Sequence, residues 1–288
     1  MTVAPDPRTI LSTPDLIAVG VQGDAVRRAM HGARTTFVRV FEVHVDAPAA
    51  SAPHGLAAGE VRIVGRPGSD AAALAAVNAA AAMAGNIPLT GFSLTDLASL
   101  ATAPGALKDL CARLRASGLE AIADVPIDAR PPEELAEAVL AARDGGLLVE
   151  RLTVHAQPAD AHRVDEQVEI VDRAKRLQDR VGGFRVFAPL PRSTSITQPT
   201  TGYADLKLIA VARIVASNIE SIQVDWPLYG PKLAQVALTV GADDVDGVAA
   251  VDPGVLGTRR SPIEEITNNI RAAALDAVER NGRFERLT

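Results

Sequence analysis

The chain has 288 residues, 48% of them hydrophobic, a formal net charge of −6 and a single cysteine, Cys111. One thiol excludes an internal disulfide, a cysteine-only zinc site and a three-thiolate iron–sulfur ligand set within one chain. The acidic balance excludes a global basic field of the kind that holds nucleic acid or an anionic membrane, so neither partner is predicted.

Hydropathy predicts a protein without a membrane span. The most apolar stretch, Ala71–Ala84, is too short to cross a bilayer, and Gly85-Asn86 closes it. The opening residues, MTVAPDPRTI, lack a basic segment followed by an apolar one, which is the pattern of a secretory signal. We therefore predict a cytoplasmic protein.

Short runs rich in Val, Ile and Phe alternate with helical patterns along the chain. Before the first run, one or two short helices are predicted at Asp15–Val19 and Asp24–His31. The predicted strands are Thr35–Val45, Val61–Gly65, Ile87–Phe92, Glu120–Val125, Arg151–Ala156, Phe184–Leu190, Ser221–Trp226 and Asp243–Ala250. The predicted helices are Leu94–Ala116 with a break at Pro104-Gly105, Glu133–Arg143, His162–Arg180, Tyr203–Ala216, Pro231–Val240 and Pro262–Val278.

Eight strands alternating with helices predict a parallel (β/α)₈ barrel of the TIM type. A doubly wound open sheet is the alternative, and the lack of a glycine-rich dinucleotide loop after the first strand disfavours it. Residues 1–34 are predicted to be an N-terminal helical extension, and residues 35–288 a single barrel domain, because no linker rich in Pro, Gly or Ser divides the chain.

Functional groups of such barrels collect at the carboxyl ends of the strands. The residues predicted there as ligand-binding are His155, Asp225, Trp226, Tyr229, Lys232, Asp124 and Arg192. His44 and His155 could be metal ligands or a general base, and the alternative is that each is a hydrogen-bonded filler. Asp243, Asp244 and Asp246 do not have the spacing of a calcium loop, and capping of the preceding turn is an equal interpretation. No metal site is predicted, and catalytic residues stay unassigned.

The segment Trp226–Leu238 is distinctive because it holds the only Trp and one of two Tyr in a chain that is 3% aromatic. Trp226 and Tyr229 could stack a flat ring, with Lys232 at a helix start holding an anion. The alternative is that both aromatic side chains plug the barrel mouth.

Four segments together resemble a known family: Ala25–Val38, Arg163–Pro191, Thr200–Val248 and Ser261–Phe284. They are similar to the radical S-adenosylmethionine enzymes of the futalosine route to menaquinone, aminofutalosine synthase and dehypoxanthine futalosine cyclase, to which the deazaflavin-precursor synthase is related. The resemblance implies a barrel of the radical S-adenosylmethionine kind.

The chain departs from that family where the family binds its cofactors. After the first strand the family carries C-x-x-x-C-x-x-C for a [4Fe–4S] cluster, whereas Phe41–Gly55 contains no cysteine. The glycine-rich stretches after the second and fourth strands are reduced to Ile63–Ser69 and replaced by Ala121–Pro132. The family often has a histidine and an acid near the fifth strand, and His155 falls one residue away. We therefore predict no cofactor and no radical chemistry.

Three hypotheses follow. The first is a cluster-free relative linked to menaquinone biosynthesis that binds a futalosine-type nucleoside or serves as the non-catalytic partner of an active paralogue, as a homo- or heterodimer. The second is a repurposed non-radical enzyme acting at the barrel mouth on such a nucleoside or an aromatic acid, with His155, Asp225 and Asp124 as acid–base groups. The third is a scaffold, in which the retained segments only pack. An open polar pocket at the mouth favours the first two.

Overall fold

The computed structural model describes residues 6–46, 56–157, 164–193, 200–251 and 262–287. The helices are Pro7–Ser12 (α1), Leu16–His31 (α2), Asp70–Ala84 (α3), Leu94–Leu100 (α4), Ala106–Ala116 (α5), Pro132–Asp144 (α6), Val164–Val181 (α7), Gly202–Val215 (α8), Trp226–Ala237 (α9) and Pro262–Ala272 (α10). The strands are Arg34–His44 (β1), Glu60–Val64 (β2), Leu89–Ser93 (β3), Ala121–Pro126 (β4), Arg151–Ala156 (β5), Val186–Ser193 (β6), Ser221–Asp225 (β7), Asp244–Ala249 (β8) and Asp276–Glu279 (β9).

Strands β1 to β8 pair in chain order, all parallel, and β8 returns to β1 to close the barrel. The long β1 makes closure possible, because Thr36 pairs with Asp244 of β8 in its first half and Val40 pairs with Glu60 of β2 in its second. The predicted TIM-type barrel is confirmed. No helix among the described residues is both long and apolar enough to cross a membrane.

The apolar core lies between the barrel strands and the surrounding helices. Helix α5 shows the pattern, because Leu107, Leu110, Cys111 and Leu114 recur at helical spacing and are all buried. Burial of each leucine contributes about 2 kcal/mol to the free energy of folding. Cys111 is fully buried, so its predicted place in the core is confirmed.

The N-terminal extension differs from the prediction of short helices. Asp15 caps a single helix, α2, by accepting from the Ala18 backbone N–H at 2.9 Å. Gly23 does not interrupt this helix but lets it approach α8 closely. A Cβ at Gly23 would lie 2.1 Å from the carbonyl oxygen of Val240 and 3.2 Å from Ala210. The prediction of one or two short helices, Asp15–Val19 and Asp24–His31, is correct in type but not in bounds, because the structure has one continuous helix, Leu16–His31, preceded by α1. In sequence, a glycine that serves packing looks like a helix breaker.

The last helix also ends earlier than predicted. Helix α10 stops at Ala272, and Ala274 takes a left-handed φ of 57° before β9 begins. Strand β9 pairs in parallel with the first half of β1, beside the part of β1 that β2 does not reach. The predicted helix Pro262–Val278 is wrong at its end because the unpaired edge of β1, which only the assembled barrel reveals, captures the tail as a strand.

The barrel interior is polar. Inward positions of TIM barrels usually carry branched apolar residues. Here the buried polar and charged side chains that face inward on β2, β3, β5, β7, β8 and the residue after β9 are Glu60, Arg62, Thr90, Arg151, Gln223, Asp244, Asp246 and Arg280. Three carboxylates and three guanidinium groups among them balance in charge.

Candidate functional site

An open cavity of about 260 Å³, here called the mouth cavity, lies at the carboxyl ends of β2, β3 and β4. This is the end of a parallel barrel at which ligands bind, since the strand ends fix the side chains and the following loops vary. The charged residues that line it are Arg62, Arg66, Asp96, Asp124, Arg151 and Arg192.

The floor of the mouth cavity is a buried ion network. Arg62 donates to Glu60 at 2.7 and 2.9 Å and to both oxygens of Asp246 at 2.8 Å. Nη2 of Arg151 donates to Oδ2 of the same Asp246, and Thr90 donates to Glu60. Burial opposes ionisation of Asp246, but Arg151 and Arg62 outweigh it and hold the pKa of Asp246 well below its usual range. Asp246 is therefore ionised at neutral pH.

One wall of the mouth cavity is acidic. Asp124 accepts from the Thr153 hydroxyl at 3.2 Å, and Asp96 lies 3.5 Å from the guanidinium of Arg66. Burial raises the pKa of Asp96, Arg66 and His155 oppose the rise, and the charge of Asp124 adds to it. Burial is thus the main reason that the pKa of Asp96 is raised on this wall.

The other wall carries Arg192 at the end of β6, and Arg192 contacts Asp225 at the end of β7. Asp225 caps α9 by accepting from the Leu228 backbone N–H at 3.0 Å, and its second oxygen lies 3.5 Å from Nη2 of Arg192. Burial and the charge of Asp246 raise the pKa of Asp225, while Arg192 and Arg151 lower it. Asp225 thus caps α9 and also forms a long ion pair with Arg192.

The aromatic segment packs rather than lining the mouth cavity. Trp226 and Tyr229 are half-buried against the core, and the Tyr229 hydroxyl donates to the carbonyl oxygen of Pro191 at 2.5 Å. Burial raises the pKa of Tyr229. Lys232 is exposed, beyond a break in α9 at Gly230, where φ is 75°. Stacking and anion binding by this segment stay predictions.

The structure brings only part of the predicted site together. Asp124 and Arg192 line the mouth cavity, and Asp225 faces Arg192. His155 is exposed and is not among the described residues that line the cavity. Trp226, Tyr229 and Lys232 are not among the described residues that line it.

Sequence reasoning missed the floor of the cavity, Glu60, Arg62 and Arg151. A signal was present: polar residues fill alternate positions in Glu60-Val-Arg62 and again in Arg151-Leu-Thr153. Alternation places such residues on one face of a strand. In a barrel with buried strands that face is the interior, but charged residues normally indicate the solvent side.

The three aspartates near β8 are engaged by arginines. Asp244 accepts two bonds of 2.7 Å from Arg280. Asp243 pairs with Arg213 and also accepts from the Ile222 backbone N–H at 2.9 Å. Among the described residues, no group of three or more His, Cys, Asp or Glu side chains is arranged to hold a metal ion.

The chain's donor set does not fit a [4Fe–4S] cluster. A cluster of this kind needs several cysteine thiolates. The one cysteine, Cys111, is fully buried in α5, and burial raises its pKa to about 12, which disfavours the thiolate.

A second cavity of about 380 Å³ lies at the opposite, amino end of the barrel, between the start of β1 and the tail after β9. Arg34, Arg185, Phe284 and Arg286 contribute to its lining. Although it is larger than the mouth cavity, residues at this end of a parallel barrel usually serve stability rather than function. The mouth cavity is therefore the stronger candidate site.

The barrel fold is shared with a solved enzyme structure. The crystal structure of methylornithine synthase (PylB) superimposes with a TM-score of 0.64, at 12% sequence identity, over 96% of this chain and 94% of that one. At this identity the likeness concerns the fold alone.

Sequence similarity then points to particular relatives. Residues 187–287 match the family model described as CofH/MqnC C-terminal region. The aminodeoxyfutalosine synthase of Streptomyces coelicolor is 37% identical over 145 residues, which is 43% of this chain and 36% of that protein. The cyclic dehypoxanthine futalosine synthase of the same organism is 32% identical over 130 residues, or 42% of this chain and 33% of that protein.

These matches confirm the predicted resemblance: part of this chain is similar to an aminodeoxyfutalosine synthase and to a cyclic dehypoxanthine futalosine synthase. The aligned segments span about a third of the length of the two synthases. The activities of those whole proteins therefore reach this chain only as proposals.

Proposed function

We propose that this protein is a cluster-free relative of the futalosine-pathway enzymes that binds a small pathway ligand and serves as the non-catalytic partner of an active paralogue in menaquinone biosynthesis. The observation that carries the proposal is the pairing of an open, charged mouth cavity with a sequence that has one thiol, and that thiol buried in α5.

The cysteine content of the chain bears on electron transfer. Reductive cleavage of S-adenosylmethionine needs a cluster that delivers one electron, and the cluster needs thiolate ligands. Cys111 is fully buried and its pKa is raised to about 12, so even this single thiol is a poor ligand. A chain of this composition lacks the means to build the electron donor of its relatives.

The charged side chains of the mouth cavity bear on ligand binding. A protein that only served as scaffold would gain nothing from charged side chains facing an open cavity, because burying charges costs free energy unless they are paired. Here Asp124 and Arg192 face such a cavity, and the matched region, residues 187–287, includes the strand that positions Arg192. These features support ligand binding at the mouth.

Two measurements test the proposal. After anaerobic purification and reconstitution with iron and sulfide, we expect no bound cluster and no 5′-deoxyadenosine from S-adenosylmethionine and dithionite. Bound cluster together with cleavage would refute the cluster-free assignment. Ligand binding is measured as a shift of the melting temperature with aminodeoxyfutalosine and with dehypoxanthine futalosine. Adenosine serves as the control nucleoside.

Partnership is tested separately by size-exclusion chromatography of this protein mixed with the aminodeoxyfutalosine synthase and with the cyclic dehypoxanthine futalosine synthase of its own organism. We expect a complex with one of them. If neither associates and neither pathway nucleoside shifts the melting temperature more than adenosine does, the proposed function is wrong.

A second candidate function is a repurposed non-radical enzyme. It is favoured by the acidic wall, where burial raises the pKa of Asp96 beside a second carboxylate, Asp124. Two carboxyl groups that line one cavity can serve as acid and base. Turnover of either nucleoside or of an aromatic acid, measured by mass spectrometry and lost in Asp124→Asn, would favour this function over the non-catalytic one.

A further inference from the structure

We infer that Arg151 and Arg192 form an oxyanion site at the floor of the mouth cavity, which binds the carboxylate or phosphate group of a small ligand. The inference deepens the proposed function and rests on its claim that the mouth binds a ligand. It adds the chemical class of that ligand and the two side chains that recognise it.

Arg151 is a buried cation whose hydrogen bonds are incomplete. Its side chain is 6% exposed, and it lines the mouth cavity. Nη2 donates to Asp246, but Nε is buried and has no hydrogen-bond partner among the described residues. Buried polar groups in folded proteins almost always have a partner, so Arg151 has fewer acceptors than a buried guanidinium usually has. Because Nε is itself enclosed, a ligand in the cavity would contact the exposed part of the side chain rather than Nε.

The protein's own carboxylates are already engaged. Asp246 gives both oxygens to Arg62, and Oδ2 also accepts from Arg151. Glu60 accepts from Arg62 twice and from Thr90 once. Arg62 thus has two carboxylate partners, whereas Arg151 bonds to one carboxylate, Asp246, which also accepts from Arg62. Burial lowers the pKa of Arg151, Asp246 opposes this, and the charges of Arg62 and Arg192 lower it further.

Arg192 brings spare donors to the same cavity. Its side chain is 32% exposed, and its ion pair with Asp225 is long, 3.5 Å between Nη2 and Oδ2. That distance exceeds a normal charge-assisted hydrogen bond of about 2.8 Å. The other oxygen of Asp225 is occupied by the cap of α9. An oxyanion between Arg151 and Arg192 would offset the repulsion of the two guanidinium groups and give both of them acceptors.

Size and the opposite wall restrict the rest of the ligand. The cavity volume of about 260 Å³ is near the lower end for small-molecule sites, so it suits a compact ligand or one end of a larger one. Asp96 and Asp124 on the other wall offer acceptors, which suit hydroxyl or amine groups. The expected ligand is a compact polar acid, either a carboxylic acid or a phosphate ester.

Calorimetry on the full chain tests the site with benzoate and inorganic phosphate as probes, at constant ionic strength and with chloride as the control anion. We expect one of the two oxyanions to bind with a stoichiometry of one. Comparison of the benzoate and phosphate titrations then shows whether the site prefers a carboxylate or a phosphate. Arg192→Gln should weaken that binding by at least about tenfold, since a hydrogen bond from a charged donor is lost. Arg34→Gln, at the amino end of the barrel, is the matched control and should bind as the wild type does.

Arg151→Met tests the contribution of Arg151, the more buried of the two arginines, and should also weaken the binding of the oxyanion. A second measurement, on the wild-type protein, does not depend on the folding of this variant. In the wild-type protein, the Nε–H resonance of Arg151 in an arginine-selective ¹H–¹⁵N spectrum should shift as the probe is added. No binding beyond that of chloride, wild-type affinity in Arg192→Gln, or an unmoved Arg151 resonance at saturation would each overturn the inference. Nucleoside binding by a protein that fails these tests would leave the proposed function standing and remove only the oxyanion site.

Discussion

The buried network under the mouth cavity predicts a large effect for Asp246→Asn. The carboxylate of Asp246 accepts from Arg62 and Arg151, and all three side chains are almost fully buried. An asparagine keeps the size but removes the charge, which leaves two buried guanidinium groups with Glu60 as the remaining partner. Breaking a buried ion network by removing one partner costs roughly 3–5 kcal/mol. Total stabilities are about 5–15 kcal/mol, so the loss is a large fraction.

Urea unfolding at pH 7, followed by circular dichroism, measures this loss, and Asp70→Asn is the matched control. Asp70 makes an exposed ion pair with Arg113, for which about 0–1 kcal/mol is expected. The folded pKa of Asp246 is well below its usual range. Its stabilisation is therefore present above the unfolded pKa of about 3.9 and is lost as the pH falls below that value. A loss at pH 7 no larger than that of Asp70→Asn, or one that persists unchanged at pH 3, would refute the buried network as drawn.

Three further predictions concern burial and close packing. Burial raises the pKa of Asp205 to about 6, so its ionisation destabilises the fold as the pH rises from about 4 to above 6. Asp205→Asn should therefore raise the unfolding free energy by about 2 kcal/mol at pH 8 and leave it unchanged at pH 3.5. Gly23→Ala should lower the melting temperature by several degrees, because its Cβ would lie 2.1 Å from the Val240 carbonyl oxygen. The control is Gly85→Ala, which should lower the melting temperature less, because the space around Gly85 is open and only the strain of its positive φ remains. Cys111 should resist iodoacetamide at pH 8 in the folded protein and react fully in 6 M guanidinium, as mass spectrometry would show; rapid labelling of the folded protein would contradict its burial.

The sequence was sufficient to predict the barrel because alternation is a local property. Each strand, such as Arg151–Ala156, carries its own β-branched or aromatic pattern, and each following helix carries its own spacing. Strand β9 was not predictable in this way. It forms only because β1 extends beyond β2 and leaves a free edge, which is a consequence of register between segments about 240 residues apart.

The candidate site was likewise predictable only where the position of a residue along its strand is sufficient. Position at a strand end predicted Asp124 and Arg192, because parallel strands bring their carboxyl ends together. It also predicted Trp226 and Tyr229, yet the hydroxyl of Tyr229 bonds to Pro191 on the neighbouring strand. Whether a strand-end side chain faces the cavity or packs beside it depends on the loop and helix that follow, and the break at Gly230 is not visible as periodicity.

The polar interior links stability to binding. An unmet donor on a buried group costs roughly 1–3 kcal/mol of folding free energy, and Nε of Arg151 carries that cost within the described structure. Methionine at this position would remove that cost, although Asp246 would then keep Arg62 as its remaining guanidinium partner in this network. A site that lowers stability is retained when function needs it. Arg151→Met should therefore lose less unfolding free energy than Arg62→Met does, while binding the oxyanion less tightly than the wild type. That combination separates a ligand-binding arginine from a structural one such as Arg62, whose removal would strand Glu60 and weaken the fold.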